Sequence, residues 1–339
     1  MRPLTDRRPN PFLLVAGRPL LAHVFDACLD VVDEFIVVVG YRGSDVVDRF
    51  GEAYEGIPIT YVEQADPAGT AHAIAQARDV VDDRFVVLNG DVLVDAALPK
   101  ALAAADGTAI ATTPVADPRS YGVVSVDDGS MSAIAEKPDD PPTNLANVGC
   151  YAFEPDVFEY IDRTTKSERG EYEITDTLEL LLADGRDISV VEYDSQWLDV
   201  GRPWELLRAN ELLLEDIDRD IQGSVAEGAQ LDGDVVVAAG ATVRSGIHIE
   251  GPAVIFSSAE VDPNAYVRGS TAIGPEVHVG HGVEIKNSIL MADAAVPHLS
   301  YVGDSVLGRN VNLGAGTNVA NLRHDDASVR MTVKGERVD

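Results

Sequence analysis

Two aspartates stand where an oxygen-ligated cation would be held. Leu88-Asn-Gly-Asp91 ends an apolar run with a carboxylate, and Trp197-Leu-Asp199-Val-Gly201 offers a second on another apolar segment. Two such carboxylates suit one Mg²⁺, which takes oxygen ligands and bridges to substrate phosphates. Taken singly, either aspartate reads more simply as a strand-end turn or a helix cap. Gln64-Ala-Asp-Pro-Ala-Gly69-Thr70-Ala-His72-Ala73 sets a glycine and a hydroxyl at the mouth of a helix. Backbone N–H groups there suit phosphate or base oxygens. The plainer reading is a turn and an N-cap, with His72 on the helix surface. Tyr121-Gly122, Glu136-Lys137-Pro138 and Asn147-Val-Gly149-Cys-Tyr151 add a carboxylate, an ammonium, an amide and glycines. Such groups grip sugar hydroxyls and a phosphate, although Glu136-Lys137 alone reads as a solvated pair before a turn.

These groups need a scaffold, and the first 215 residues supply its pattern. Phe35–Val39, Ile59–Val62, Phe85–Leu88 and Ile188–Val191 read as strands. Pro19–Asp30, Ser44–Gly51, Thr70–Val80 and Ala97–Ala105 carry the 3.6-residue spacing of amphipathic helices. Continuous apolar strands separated by helices predict an α/β, Rossmann-like domain around a mostly parallel sheet. Ligands in such folds sit beyond the C-terminal strand ends. Trp204–Asp216 reads as a last helix before a polar connector.

From Val225 the pattern changes. Aliphatic residues fall at every sixth position: Val225, Leu231, Val237, Val243, Ile249, Ile255, Val261, Val267, Ile273, Val279, Ile285 and Met291. A hexapeptide period with small or turn-forming residues between predicts a parallel β-helix, each coil stacking aliphatics on the last. The phase slips between Met291 and Tyr301 and resumes at Tyr301, Leu307, Leu313 and Val319, which predicts an extruded loop over 292–300. The predicted organisation is an α/β domain over 1–216, a linker over 217–224 and a β-helix over 225–339.

With 26 Lys+Arg against 57 Asp+Glu the net charge is −31, which disfavours nucleic acid and anionic membranes as partners. Only five of the 26 basic residues are lysine. Lysine depletion with an aspartate excess suits a surface hydrated in concentrated salt, where self-repulsion is screened, and points to a halophilic source. No apolar run approaches the roughly 20 residues that span a bilayer, and Met1–Asn10 has no signal-peptide core. Cys28 and Cys150 make no disulfide framework. The expectation is a cytoplasmic protein.

The ordered set Gln64…Gly69-Thr70, Leu88–Asp91, Tyr121-Gly122, Glu136-Lys137-Pro138, Asn147…Gly149 and Trp197…Asp199…Gly201, followed by hexapeptides, resembles the sugar-1-phosphate nucleotidylyltransferases. The bifunctional branch, of the N-acetylglucosamine-1-phosphate uridylyltransferase and glucosamine-1-phosphate N-acetyltransferase type, is the more similar. The resemblance covers nearly the whole chain. It implies a left-handed β-helix that trimerises in many members, with Mg²⁺ as cofactor and acetyl-CoA as co-substrate. It assigns Gln64, Gly69 and Thr70 to the nucleotide base, and Asp91 and Asp199 to Mg²⁺. Gly122, Glu136, Lys137 and Asn147 fall to the sugar phosphate. Lys286, His298, Tyr301, Asn312 and Asn321 stand where the family keeps its acetyltransfer site. A histidine of near-neutral pKa there suits taking a proton from a hexosamine amine as it attacks an acetyl thioester. The family's opening motif, a strand and a loop of the form L-A-A-G-x-G-T-R, ends in Arg-Pro-Leu-Thr, and this sequence starts at Met1-Arg2-Pro3-Leu4-Thr5. Pro9-Asn10-Pro11 replaces the family's Pro-Lys-Pro. A second reading, an acetyltransferase-only or non-catalytic sugar-nucleotide-binding protein with a disabled first domain, stays open.

Overall fold

The computed structural model describes every residue except 2, 7, 8, 326, 328, 334, 335 and 339. By contacts the chain divides into two units, Leu21–Leu198 and a second made of Met1–Leu20 with Asp199–Asp339.

The first unit is built on a six-stranded sheet. Its spatial order is Phe85–Leu88, Leu145–Phe153, Thr108–Pro114, Ile188–Glu192, Ser130–Glu136, Gly122–Asp127. Period-two alternation assigns its faces. Ile110, Tyr151 and Phe153 point to one side, against Phe158 and Ile161 of helix Val157–Arg163 and Leu178 and Leu181 of helix Ile174–Ala183. Ala109, Ala111, Cys150 and Ala152 point to the other, where small side chains admit Leu98 and Leu102 of helix Ala97–Ala104. Burial raises the Cys28 thiol to about 12 and pushes the Cys150 thiol up further, so both are inert. Arg84 caps the Ala97–Ala104 helix by donating to the carbonyls of Leu102 at 2.9 Å and Ala103 at 2.8 Å.

The sheet is mixed, not mostly parallel. Parallel pairing joins Phe35–Val39 to Ile57–Glu63 and Thr108–Pro114 to Ile188–Glu192, while the other pairings in these sheets are antiparallel. Strand Thr108–Pro114 is rich in Ala and Thr, and Leu145–Phe153 is interrupted by Asn147 and Gly149, so neither shows the apolar run that marks a buried strand. The Gly122–Asp127/Ser130–Glu136 hairpin turns on Asp128 and Gly129, with φ of 49° and 84°, as a two-residue primed turn requires. Phe35–Val39 and Phe85–Leu88 are edge strands and mostly half-buried, although their apolar runs read as central ones.

The second unit is a parallel β-solenoid of three sheets, with Val237, Ile255, Ile273, Val243, Val261, Val279, Ile249, Val267 and Ile285 stacked inside. Its coils measure eighteen residues up to Ile273 and seventeen from there, through the pairs Ile273–Leu290 and Leu290–Leu307. The one-residue shortening makes Leu290, not Met291, and Val302, not Tyr301, the in-phase residues. Residues 292–300 therefore do not extrude as a loop: Ala295–His298 is a strand, with Ala295, Val296 and His298 in register with His278, Val279 and His281. Corners fall on left-handed residues, among them Ser258, Glu276, Asp293 and Asn310, which explains the turn-forming residues between aliphatics.

Helix Pro203–Glu215 packs on strand Thr271–Ile273 and on the hairpin of Leu14–Val15 with Arg18–Pro19. Asn210, fully buried, accepts from the Ala16 N–H at 3.0 Å and donates to the Ser270 carbonyl at 2.9 Å. By contacts the hairpin and helix group with the solenoid. Among the described residues no helix is long and apolar enough to cross a membrane.

Candidate functional site

Gln64 follows strand Ile57–Glu63, and its N–H donates to the Val39 carbonyl at 2.7 Å. The chain then loops to Gly69, whose φ is 120°. A Cβ there would lie 2.3 Å from the Tyr172 carbonyl oxygen, so only glycine fits. Tyr172 sews the loop down by donating to the Ala68 carbonyl at 2.7 Å and accepting from the Ala71 N–H at 3.0 Å. Thr70 opens helix Thr70–Ala75, shorter than the expected Thr70–Val80, and its hydroxyl accepts from the Ile174 N–H at 3.0 Å. His72 is no free surface residue: its Nδ1 lies 2.9 Å from Gln64 Nε2, and its ring stacks on Tyr172.

Gly122, Glu136 and Asn147 come together. Antiparallel pairing sets Gly122 opposite Glu136. A Cβ on Gly122 would lie 3.1 Å from Glu136 Oε2, 3.5 Å from Asn147 Cβ and 3.4 Å from Thr175 Cγ2. The Asn147 side chain is held at both ends, donating to the Tyr151 hydroxyl at 2.7 Å and accepting from the Gly149 N–H at 2.9 Å. Burial pushes the Tyr151 phenol up, so this partner stays neutral. Lys137 has φ of 46° and brings its ammonium 3.7 Å from Glu136 Oε1. Arg169 donates to the same Glu136 oxygen at 3.1 Å and to the buried Glu173 at 2.6 Å. Among the described residues Thr175 Oγ1, which is buried, finds no hydrogen-bond partner.

Asp91 belongs to the same unit. Pairing of Leu88 with Cys150 sets the Asn89–Asp91 turn beside Gly149, whose Cβ would lie 2.6 Å from Asn89 Nδ2. Trp197 braces this turn region, donating from Nε1 to the Val148 carbonyl at 3.2 Å. Asp199 belongs to the second unit, where Asn10 Nδ2 donates to the neighbouring Val200 carbonyl at 3.1 Å. Arg2 lies outside the described residues. Both aspartates offer carboxylate oxygens, the hard donors Mg²⁺ takes. Among the described residues no group of three or more His, Cys, Asp or Glu side chains could hold an ion alone. Each aspartate, within its own unit, offers the kind of donor taken by an ion that phosphates also ligate.

On the solenoid, Lys286 and Tyr301 share one sheet, on neighbouring strands Glu284–Lys286 and Tyr301–Gly303. Lys286 Nζ lies 3.3 Å from Asp304 Oδ2. His298 ends the strand of the adjoining sheet, exposed, one corner before Tyr301; its carbonyl accepts from the Ser300 hydroxyl at 2.7 Å. Asn312 bridges to Ala295 one coil on, and Asn321 lies past strand Asn318–Val319; both are exposed.

The model of the nucleotidyl transferase family matches residues 1–216. The chain belongs to the nucleotidyl transferase family. A second model, that of the GMPPB C-terminal domain, matches residues 249–339. This nucleotidyl transferase is 41% identical over 340 residues to the bifunctional protein GlmU of Methanocaldococcus jannaschii, covering 100% of this chain and 82% of that protein. It is 34% identical over 342 residues to the bifunctional sugar-1-phosphate nucleotidylyltransferase/acetyltransferase of Sulfurisphaera tokodaii, covering 100% and 84%. Among solved structures it is similar to a Bacillus anthracis protein described as a glucose-1-phosphate thymidylyltransferase. The TM-score is 0.57 at 29% identity, over 65% of this chain and 92% of that one.

Sequence reading passed over several residues that shape the transferase's first site: Arg169, Tyr172, Glu173 and Thr175. Their one signal is the alternation of Tyr172 and Ile174 with polar residues after the Arg169-Gly170 turn, which marks a short extended segment. On the solenoid Arg268 was missed as well. It sits one coil before Lys286 on the same ladder and pairs with Glu284 at 3.2 Å, making a basic step with Lys286.

Proposed function

We propose that this sugar-1-phosphate nucleotidylyltransferase joins a uridine or thymidine nucleotide to a hexose or hexosamine 1-phosphate, and that its solenoid acetylates a hexosamine 1-phosphate. The observation that supports the first part is the convergence of Gly122, Glu136, Asn147 and the unpartnered Thr175 hydroxyl. Gln64, Gly69 and Thr70 hold the base. Glu136 accepts from sugar hydroxyls, and Asn147, locked by Tyr151 and Gly149, offers its amide. Lys137 balances the charge of the sugar phosphate. Oriented this way, a phosphate oxygen of the sugar 1-phosphate attacks the α-phosphorus of the triphosphate. The new P–O bond forms as the bond to the β-phosphate oxygen breaks, and pyrophosphate leaves with the electron pair. Asp91 and Asp199 would hold Mg²⁺, which neutralises phosphate charge when bound. The chain's own contribution is positioning and charge placement.

Acetyl transfer is assigned to residues 225–339, and nucleotidyl transfer to residues 1–216, with 217–224 between them. His298 takes a proton from the hexosamine amine as the nitrogen attacks the thioester carbonyl of acetyl-CoA, and the thiolate of coenzyme A leaves. Lys286, Tyr301, Asn312 and Asn321 hold the sugar phosphate and acyl donor around it. The acidic, lysine-poor surface suits work in concentrated salt, the solenoid suits a homotrimer, and substrates of this class suit a cytoplasmic enzyme. Mass spectrometry of the product from nucleoside triphosphate and sugar 1-phosphate tests the first activity. Release of free coenzyme A thiol tests the second. His298→Ala stops thiol release while nucleotide-sugar formation continues; loss of neither overturns the assignment of His298.

A further inference from the structure

We propose that His72 is a positioning residue for base selection: it fixes the Gln64 carboxamide with its oxygen toward the base, so the site takes a pyrimidine carrying N3–H and rejects cytosine. The inference rests on the reading above that Gln64 meets the base.

Gln64 Nε2 lies 2.9 Å from His72 Nδ1 and 3.4 Å from the Gly69 carbonyl oxygen. A carbonyl oxygen only accepts, so the nitrogen end of the amide must face Gly69. With both amide hydrogens directed at this pair, His72 Nδ1 must be the unprotonated ring nitrogen, and Gln64 Oε1 is the atom left over. Uracil and thymine present an N3–H donor to such an oxygen. Cytosine presents a bare N3, which leaves two acceptors facing one another. The bond to the Gly69 carbonyl is long, at 3.4 Å, so an amide that loses the 2.9 Å contact with His72 turns end for end at little cost and serves either base. Selectivity therefore lies in what prevents the turn.

The ring that prevents it is itself held. His72 sits in the first turn of helix Thr70–Ala75 and stacks on Tyr172 at 6.4 Å between centroids and 27° between planes. The backbone of Tyr172 is bonded to Ala68 and Ala71 on either side of Gly69. Gln76 Nε2 donates to the His72 carbonyl at 2.9 Å.

The test is calorimetric binding of UTP, dTTP and CTP to the full chain with Mg²⁺. Wild type prefers UTP over CTP by about tenfold or more, the size of one buried polar mismatch. His72→Ala collapses that ratio to about threefold or less, with UTP affinity only modestly weaker. His72→Asn, whose Oδ1 takes the place of Nδ1, keeps the preference. Gln64→Ala abolishes it. A preference that survives His72→Ala but not Gln64→Ala overturns the role of His72, as does an equal loss for all three nucleotides. A preference that survives Gln64→Ala overturns the reading of Gln64 itself, and no preference in wild type overturns both.

Discussion

The Thr70 hydroxyl accepts a hydrogen bond from the Ile174 N–H at 3.0 Å. The bond joins the start of helix Thr70–Ala75, proposed to meet the base, to a segment running from the Arg169-Gly170 turn into the first turn of helix Ile174–Ala183. Within that segment Tyr172 is bonded to Ala68 and Ala71, Arg169 to Glu136, and Thr175 lies against Gly122. One stretch of seven residues, 169–175, therefore touches both the loop at Gly69 and the Gly122–Glu136 pair, the two halves of the proposed site. Its disturbance at either end has separable consequences.

At the base end, Gly69→Ala places a Cβ into the backbone of Tyr172, at a φ that L side chains seldom adopt. The loop must shift at a strain of about 1–3 kcal/mol. UTP affinity in calorimetry should fall by about tenfold or more, while sugar 1-phosphate binding is retained. Equal UTP affinity in wild type and variant would mean that the loop does not carry the base.

At the other end, Arg169→Met releases Glu136 and leaves the buried Glu173 without its ion pair. Arg169 is partly exposed, so the stability cost is discounted to about 1–2 kcal/mol. Steady-state kinetics should show KM for the sugar 1-phosphate rising roughly tenfold with KM for the nucleotide nearly unchanged. A rise confined to the nucleotide would place Glu136 elsewhere in the reaction.

Asp176, in the first turn of helix Ile174–Ala183, has its carboxyl pushed up by burial and then by Glu173, against a smaller pull from Arg169. A folded-state pKa above the unfolded one means that folding favours the neutral acid. The charged form costs stability at neutral pH, and the cost fades as pH falls below the unfolded carboxylate range of about 4. Asp176→Asn should raise the melting temperature at pH 7, with the gain closing toward pH 4. A gain that persists unchanged into acid would exclude this cause.

Asn210→Ala strips the Ala16 N–H and the Ser270 carbonyl of their buried partner. A loss of roughly 2–4 kcal/mol is expected in urea unfolding, confined to the transition of the second unit. An unchanged midpoint would show that water replaces the amide.

How much of this was legible in the sequence depends on which physical signal each element leaves. The solenoid announces itself because each coil buries an aliphatic at a fixed interval, and eleven of the twelve in-phase residues from Val225 to Met291 fall where the inward ladders require. The twelfth was misplaced because Leu290 and Met291 are both aliphatic, which hid a one-residue shortening and suggested a loop. In the first unit, Thr108–Pro114 is buried along nearly its whole length yet reads as Ala and Thr, so the sheet's antiparallel pairings went unseen. Spacing also placed His72 on a helix surface, since nothing in a single helix face announces a partner eight residues back.

Pyrophosphate release by the purified chain tests the central claim most directly. It should be run with Mg²⁺ in molar KCl, with UTP or dTTP and a panel of hexose and hexosamine 1-phosphates. The account predicts release that requires both the nucleotide and one particular sugar 1-phosphate, and that Asp91→Asn abolishes without unfolding the chain. A folded protein that releases no pyrophosphate with any pair, or releases it equally without a sugar phosphate, would contradict it.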